Sequence, residues 1–197
     1  MEYIAHRINT INDLKNTPTR YGVEIDIRDF NDRIILQHDP FVDGEDFENY
    51  LHHYKHGTMI LNVKSERIEH RTLELLKKYN IKNYFFLDCS FPMIYLLSSQ
   101  GEKNIALRFS ELEGLDTIVN MAGKVKWIWI DCFTTLPINS ENFKLLKNKG
   151  YNLCLVSPEL QGQEDKIISY KSYLFKNDIH LDAICTKSFN IKKWDSR

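Results

Sequence analysis

Apolar and acidic side chains alternate along the stretch Val23-Glu24-Ile25-Asp26-Ile27-Arg28. Successive side chains of an extended strand point to opposite faces, so Glu24 and Asp26 are expected to project together, away from the apolar face. Neighbouring carboxylates repel each other and are costly to desolvate, and such a pair usually persists with a cation, a basic side chain or water between its members. A divalent metal ion is the most specific of these partners. The alternative is that both acids lie on the wet face of a half-exposed strand.

A second apolar run follows the acidic strand and is predicted to return toward it. Turn-forming residues at positions 29–33 separate the acidic strand from the run Ile34-Ile35-Leu36-Gln37-His38-Asp39-Pro40. This pattern predicts a hairpin-like reversal that carries His38-Asp39 back toward the two acids. Near the start of the chain a short apolar run ends in His6-Arg7, as a further strand would on reaching the same rim.

Length and composition predict one globular domain spanning residues 1–197. With 43% hydrophobic residues the chain can form a real core, and its formal net charge of -1 gives no electrostatic case for nucleic acid or an anionic membrane. The acidic second residue and the shortness of the apolar runs predict neither a signal peptide nor a membrane span. The cysteines lack a C-x-x-C spacing, which argues against a zinc knuckle or a disulfide scaffold and favours a reducing cytoplasm. They are Cys89, Cys132, Cys154 and Cys185.

Short β-rich runs alternate with amphipathic helical stretches along the whole chain. Strands are predicted over residues 2–7, 22–27, 58–65, 83–89, 104–109, 126–132, 151–157 and 181–187. Helices are predicted over residues 11–17, 45–54, 66–78, 92–98, 115–121, 140–148 and 164–177. This alternation predicts an α/β fold, a single-domain (β/α)8 TIM barrel that is compact and has short loops. An open doubly wound sheet is the alternative, but no glycine-rich turn follows the first strand where a nucleotide would need it.

In a barrel of this type the catalytic groups gather at the carboxyl ends of the strands. Asn62 and Lys64 alternate with apolar residues in the third strand, so both are predicted to point into the barrel mouth. A lysine with apolar neighbours is costly to bury unpaired, and it is expected to meet an acid or a phosphate. Asp88, Asp131 and Lys187 also end strands, and we interpret them as charges that mark where strands emerge into water.

Three short motifs occur in a characteristic order: His6-Arg7, Glu24-x-Asp26 and His38-Asp39-Pro40. They resemble the amino-terminal signature of the glycerophosphodiester phosphodiesterases and of the sphingomyelinase D-like enzymes, within the phospholipase C-like phosphodiesterase superfamily. Ser90-Phe91 is similar to a pair that follows the fourth strand in the phosphodiesterases, and residues 182–187 are similar to their last strand. The resemblance implies a phosphoric diester hydrolase with a barrel fold.

The sequence also departs from that family at several positions. In the family's third-strand motif an acidic residue, a further metal ligand, precedes a lysine by two positions; here Lys64 matches and Asn62 replaces the acid. Ile8 stands where a glycine usually follows His-Arg, and Lys187 stands where the last strand usually reaches an aspartate. The Glu-Asn-Thr element of the bacterial enzymes has no clean counterpart. The link over residues 9–13 is closer to the sphingomyelinase D spacing.

These residue types are suited to a metal-assisted reaction at phosphorus. Glu24 and Asp26 offer hard oxygen ligands for Mg2+ or Ca2+, which would act on a non-bridging phosphate oxygen as a Lewis acid. The resemblance places Asn62 in the same ligand set. Its amide oxygen can coordinate such a cation but brings no negative charge, so the metal affinity is expected to fall.

Proton transfer and phosphate binding are predicted for basic residues of the same motifs. His6 and His38 can exchange protons near neutral pH, and the resemblance implies that one acts as base and the other as acid, in an order that the sequence leaves open. Arg7 and Lys64 are predicted to bind the substrate phosphate.

Two functions are compatible with these residues. The first is a metal-dependent phosphodiester hydrolase whose substrate is a small-molecule or lipid-derived phosphodiester. The second is a catalytically altered barrel that binds a phosphorylated ligand without turnover, for which the neutral Asn62 is the main argument. The identity of the diester, hydrolysis versus cyclising transfer, and the oligomeric state are all left open.

Overall fold

Strands and helices alternate through residues 1–195, the part of the chain that the computed structural model describes. The parallel strands are β1 (Glu2–Ala5), β2 (Gly22–Phe30), β5 (Met59–Val63), β6 (Tyr84–Leu87), β7 (Ala106–Phe109), β8 (Trp127–Ile130), β9 (Asn152–Val156) and β10 (Ala183–Thr186). Two short strands, β3 (Arg33–Leu36) and β4 (Glu45–Asp46), are antiparallel additions beside β2. All the predicted strands are therefore present.

Helices lie between the strands, as predicted, and one further helix follows the last strand. They are α1 (Ile11–Asn16), α2 (Phe47–His52), α3 (Glu69–Lys78), α4 (Phe91–Ser99), α5 (Asp116–Asn120), α6 (Ser140–Asn148), α7 (Ile167–Lys176) and α8 (Ile191–Asp195). Short 3-10 helices span Pro158–Gln161, Glu164–Lys166 and Ser188–Asn190. Within residues 1–195, none of the helices combines the length and the apolar character that crossing a membrane would require.

The parallel strands form one curled sheet. Regular parallel ladders join β1 to β2, β2 to β5, β5 to β6, β7 to β8, β8 to β9, β9 to β10 and β10 to β1. Between β6 and β7 there is a single parallel bridge, Phe86 to Ile105, with a hydrogen bond of 2.9 Å from Phe86 N to Asn104 O. The structure thus confirms the α/β class and a sheet curled at least into a half-barrel, and its weakest seam lies between β6 and β7.

The predicted hairpin-like reversal is confirmed. β2 continues past the acidic stretch and pairs antiparallel with β3, from Ile27 opposite Leu36 to the turn at Asn31, which has φ 52°. Asparagine is among the few residues with a side chain that readily adopt this left-handed conformation. After β3, Gln37 N donates a hydrogen bond of 3.0 Å to Asp26 O, so the return strand is anchored beside the acidic stretch.

The two faces of the curled sheet carry two separate apolar clusters. The larger cluster lies between the strands and the surrounding helices and includes Ile25, Leu61 and Leu146. The smaller cluster draws alternate residues from seven of the parallel strands, and examples are Ile4 and Ile60, both 0% exposed. Because side chains alternate along a strand, the residues two positions onward share this inner face, and they are polar in the chain that follows the inner residues of β1, β5, β7, β8 and β10. Apolar side chains therefore fill the inside of the curl below a polar rim at the carboxyl ends of the strands.

Candidate active site

Glu24 and Asp26 lie on the inner face of β2, where the acidic stretch was predicted to place them. Each is only 1% exposed. The alternative of a wet strand face is therefore excluded, and the two carboxyl groups lie in a buried setting whose charge must be balanced by neighbouring groups. Those neighbours come from the loop after β1 and from the end of β5.

Glu24 is held through both carboxyl oxygens. Asn62 donates from Nδ2 to Glu24 Oε1 at 2.9 Å, and the backbone N of Arg7 donates to Oε2 at 2.7 Å. His6 Nε2 lies 3.7 Å from the same Oε2 atom. Arg7 adopts φ 57°, a left-handed conformation that costs energy for a residue with a side chain and that accompanies the contact of its amide with Glu24.

Asp26 has its own set of partners. Asn9 donates from Nδ2 to Asp26 Oδ2 at 2.8 Å and accepts from Asp26 N through Oδ1 at 2.9 Å, so one amide fixes both the side chain and the backbone. Arg7 Nε lies 3.4 Å from Oδ2, and Lys64 Nζ lies 3.6 Å from Oδ1. The predicted meeting of Lys64 with an acid is therefore present, whereas the part played by Asn9 was not predicted.

Burial and local charge shift the proton affinities of two groups in opposite directions. Burial, followed by the charge of Asp26, raises the pKa of Glu24 to about 7. Burial, followed by the charge of Arg7, lowers the pKa of His6 to about 4. At neutral pH the imidazole of His6 is therefore uncharged and able to accept a proton.

The donor atoms in this cluster fit a hard divalent cation. Asp26 Oδ1 and Asn62 Oδ1 are buried and accept no hydrogen bond within residues 1–195, which is unusual for buried polar atoms. Carboxylate and amide oxygens are the ligands that Mg2+ and Ca2+ prefer. The described residues contain no group of three or more His, Cys, Asp or Glu side chains placed to hold a metal. A cation here would therefore depend on Glu24, Asp26 and the neutral Asn62.

His38 lies at the rim, apart from this cluster. Its Nδ1 is 2.8 Å from Asp39 Oδ1, and Arg28 donates from Nη2 to its backbone oxygen at 3.0 Å. Its side chain is 42% exposed. The hydrogen bond with His38 lowers the pKa of Asp39, and the positive charge of Arg7 contributes to that shift, so the pair lies within electrostatic reach of the cluster. Across the described part of the chain, no hydrogen bond or ion pair links the His38 ring to Glu24.

A second ionic group lies beside Lys64. Arg108 forms ion pairs with Asp88 and Asp131, and Lys64 Nζ is 3.8 Å from Asp88 Oδ2. Asp131 is 2% exposed and also accepts from Gln161 Nε2 at 2.8 Å. The interpretation of Asp131 as a charge emerging into water is therefore wrong, because these donors replace the water. For Asp88, which is exposed, that interpretation missed the ion pairs.

A cavity of about 410 Å³ adjoins Asp88 and Arg108 between α4 and α5.

Strand alternation alone indicates that Arg108 and Asp131 of this second group lie on the inner face of the sheet. Arg108 follows Ala106 by two positions in β7, and Asp131 follows Trp129 by two positions from β8. Both apolar residues belong to the inner cluster, so both charged residues share its face.

A cavity of about 380 Å³ opens beside His6 and Arg7. The 3-10 helices that follow β9 and β10 form its other walls. Its volume suits a small molecule, and it adjoins the groups predicted to act on phosphate. The remaining residues that line it are Glu159, Leu160, Lys187, Ser188 and Phe189.

Comparison with known proteins gives matches in structure. No protein-family model and no curated protein matches the sequence. A crystal structure of a glycerophosphoryl diester phosphodiesterase from Parabacteroides distasonis matches with a TM-score of 0.71 and 13% identity over 99% of this chain and 86% of that one. A glycerophosphodiester phosphodiesterase from Agrobacterium tumefaciens matches with a TM-score of 0.66 and 14% identity over 95% of this chain and 97% of that one. The chain therefore shares the fold of the glycerophosphodiester phosphodiesterases.

Proposed function

We propose that the protein is a metal-dependent phosphodiester hydrolase of the glycerophosphodiester phosphodiesterase-like superfamily. The observation that carries the proposal is the buried pair Glu24 and Asp26 within β2, which meets His6 and Arg7 from the loop after β1 and Lys64 from the residue after β5. The shared fold supports it. We also take the bridge between β6 and β7 as the step that closes the sheet into a single-domain (β/α)8 barrel.

Charge neutralisation is the first requirement of the reaction, because a phosphodiester is already anionic and repels a nucleophile. Arg7 and Lys64 would supply positive charge, and Lys64 is oriented by acids on two sides, Asp26 at 3.6 Å and Asp88 at 3.8 Å. Mg2+ or Ca2+ held by Glu24, Asp26 and Asn62 would supply Lewis-acid polarisation of the phosphate.

Proton transfer is the second requirement, and we assign a different role to each of the two histidines. His6 is uncharged at neutral pH because its pKa is lowered to about 4, so it is the candidate base for the attacking water. The negative charge of a bound phosphate would strengthen it as a base. His38 lies at the rim with its Nδ1 2.8 Å from Asp39 Oδ1, a contact that orients the ring, so it is the candidate acid for the leaving oxygen.

The proposal is tested by a turnover screen. Purified protein is incubated with glycerophosphodiesters, lysophospholipids and nucleotide-linked diesters, each with and without Mg2+, Ca2+ or Mn2+, and phosphorus NMR follows the products. We expect metal-stimulated hydrolysis of at least one class, abolished by a chelator and reduced at least about a hundredfold in His6→Ala, because general acid-base catalysis contributes about 10²–10⁴-fold.

The matched control for the screen is His70→Ala. His70 is exposed and bonds to Gln100 on the helical surface, so its loss should leave turnover unchanged. If the wild type hydrolyses no diester but binds glycerol 3-phosphate, the barrel is a binding protein and the hydrolase proposal is wrong.

A further inference from the structure

Lys187 contributes a positive charge to the cavity beside His6. It follows β10 directly, on the inner face of the strand, and its side chain is exposed. Within residues 1–195 no carboxylate lies within ion-pair distance of its amino group. By contrast, Arg7 and Lys64 at the same rim are both engaged with Asp26.

The acid nearest in the cavity wall, Glu159, is committed to other partners. It is 8% exposed, and its Oε1 accepts from the backbone N of Lys187 at 3.0 Å and from the Thr186 hydroxyl. Its Oε2 accepts from the Ser157 hydroxyl. Glu159 therefore fixes the backbone of Lys187, whose side chain lines the cavity. Glu164, whose pKa is lowered mainly by Lys193 and to a lesser extent by Lys187, is already paired with Lys193 at 2.6 Å.

The walls of the cavity indicate what the unpaired charge recognises. Arg7 and His6, where the diester phosphate is proposed to bind, line the same cavity as Lys187. Leu160 and Phe189 provide apolar surface that would contact a short carbon skeleton. A ligand that spans the cavity would thus carry one anionic group at the diester and a second anionic group near Lys187.

We propose that Lys187 makes the protein select phosphodiesters whose alcohol portion carries a second anionic group, either a carboxylate or a phosphate monoester. The inference rests on the proposed function, because it assigns the cavity to one alcohol of the diester. An ammonium group without a partner gains a charge-assisted contact with such a group at little desolvation cost, since Lys187 is already exposed.

The test compares three diesters that differ only in this group. Glycerophosphoglycerol has a neutral alcohol, glycerophosphoglycerate adds a carboxylate, and glycerophosphoglycerol phosphate adds a phosphate. The measured quantity is the ratio of kcat/KM for each anionic diester to kcat/KM for the neutral one. We expect ratios above one in the wild type, a loss of about two- to fivefold in Lys187→Gln, and retention in Lys187→Arg, because an exposed ion pair contributes on this scale.

The matched control is Lys124→Gln, an exposed lysine in the turn before β8, which should leave both ratios unchanged. The carboxylate and phosphate substrates distinguish the two kinds of anion. Ratios near one in the wild type, or ratios equal in the wild type and Lys187→Gln, would overturn the inference.

A binding measurement separates failure of this inference from failure of the proposed function. Calorimetry compares 3-phosphoglycerate with glycerol 3-phosphate in the wild type and in Lys187→Gln. If no diester is hydrolysed, the hydrolase proposal fails, but tighter binding of 3-phosphoglycerate that is lost in Lys187→Gln still supports the anionic subsite. Equal affinities for the two ligands in the wild type would reject it.

Discussion

Glu24 loses its water and gains Asp26 as a neighbour on folding, and its pKa rises to about 7 from an ordinary value of 4.5. The folded state therefore binds the proton more tightly than the unfolded state. The stabilisation from this group is fully present below about pH 4.5 and is lost as the pH rises to about 7. This is the reverse of the behaviour of an acid that is salt-bridged on the surface.

We predict that the metal-free protein loses stability relative to Glu24→Gln as the pH rises through this window. Urea unfolding of both proteins in chelator, at pH 4.5 and 7.5, should show the difference in unfolding free energy changing by on the order of 3 kcal/mol. The comparison cancels most of the effect of His6, which titrates in an overlapping range in both proteins. A difference that does not vary with pH would show that Glu24 stays ionised.

Asn62 is the residue at which the family resemblance and the structure make the sharpest joint prediction. Its amide already contacts Glu24, and its buried Oδ1 accepts no hydrogen bond from the residues that the structure describes. Asn62→Asp would add a negative charge to the proposed cation site at nearly constant volume, so we expect calorimetry to show tighter binding of Mg2+ or Ca2+.

Glu24→Gln is the matched negative control, since it removes a charge from the same cluster and should weaken binding. Unaltered or weaker affinity in Asn62→Asp would mean that Asn62 does not contact the metal. The resemblance to the family's third-strand motif, which assigns Asn62 as a ligand, would then be misleading at this position.

For single residues, the sequence predicted a side chain's direction where strand alternation alone determines it. Glu24, Asp26, Asn62 and Lys64 all lie where their strand positions predicted. Asn9 could not be predicted, because its two contacts with Asp26 depend on the path of the loop after β1. That path includes the left-handed Arg7, and nothing in the local sequence signals this conformation.

Among the elements, β6 and β7 form the weakest step of the sheet, with one bridge in place of a ladder. Arg108 from β7 reaches Asp88 after β6 and Asp131 after β8, so a side chain connects strands that the backbone joins poorly. Because Asp131 is 2% exposed, removing the guanidinium would leave a buried carboxylate without its main partner.

We predict that Arg108→Met lowers the unfolding free energy by about 3–5 kcal/mol, the usual cost of removing one partner of a buried ion pair. Adding Asp131→Asn should recover part of this loss, because the remaining group is then uncharged. Chemical denaturation of the two single variants and the double variant gives the coupling energy. Additive effects would show that the pair does not stabilise the seam.

Short β-rich runs in alternation with helical patterns predicted every parallel strand. They did not predict the poor contact of β6 with β7, since a single strand shows its faces but not the neighbour with which it pairs. The interpretation of Asp131 failed for the same reason: burial of a strand-end acid depends on Arg108 and Gln161, which come from elements distant in sequence.

At the scale of the whole molecule, one face of the curled sheet serves two purposes. Its lower part is filled by apolar side chains such as Ile4, Ile60 and Trp129, which exclude water from the inside of the curl. The same strands continue into the polar rim, so the packed base holds the acidic cluster in a setting of low dielectric constant. That the fold is shared at about 13% identity is consistent with this division, since burial pattern and volume matter more than residue identity for the core.

A cation that binds only the folded chain must stabilise the entire molecule, which gives the broadest test of the proposed site. We predict that Mg2+ or Ca2+ at about 100 times its Kd adds about 2.7 kcal/mol to the unfolding free energy, which corresponds to a rise in Tm of about 5–10 °C for a domain of this size. Differential scanning calorimetry with and without metal measures this rise.

Glu24→Gln and Asp26→Asn should each abolish the rise, because each removes a proposed ligand charge. The control Glu74→Gln alters an exposed acid on α3 and should preserve it. The Tm of each metal-free variant is measured in chelator, so that a general loss of stability is distinguished from a loss of the response to metal. If the rise persists in both ligand variants, the metal binds elsewhere on the protein, and the charge of the buried acids is balanced by Arg7 and Lys64 alone.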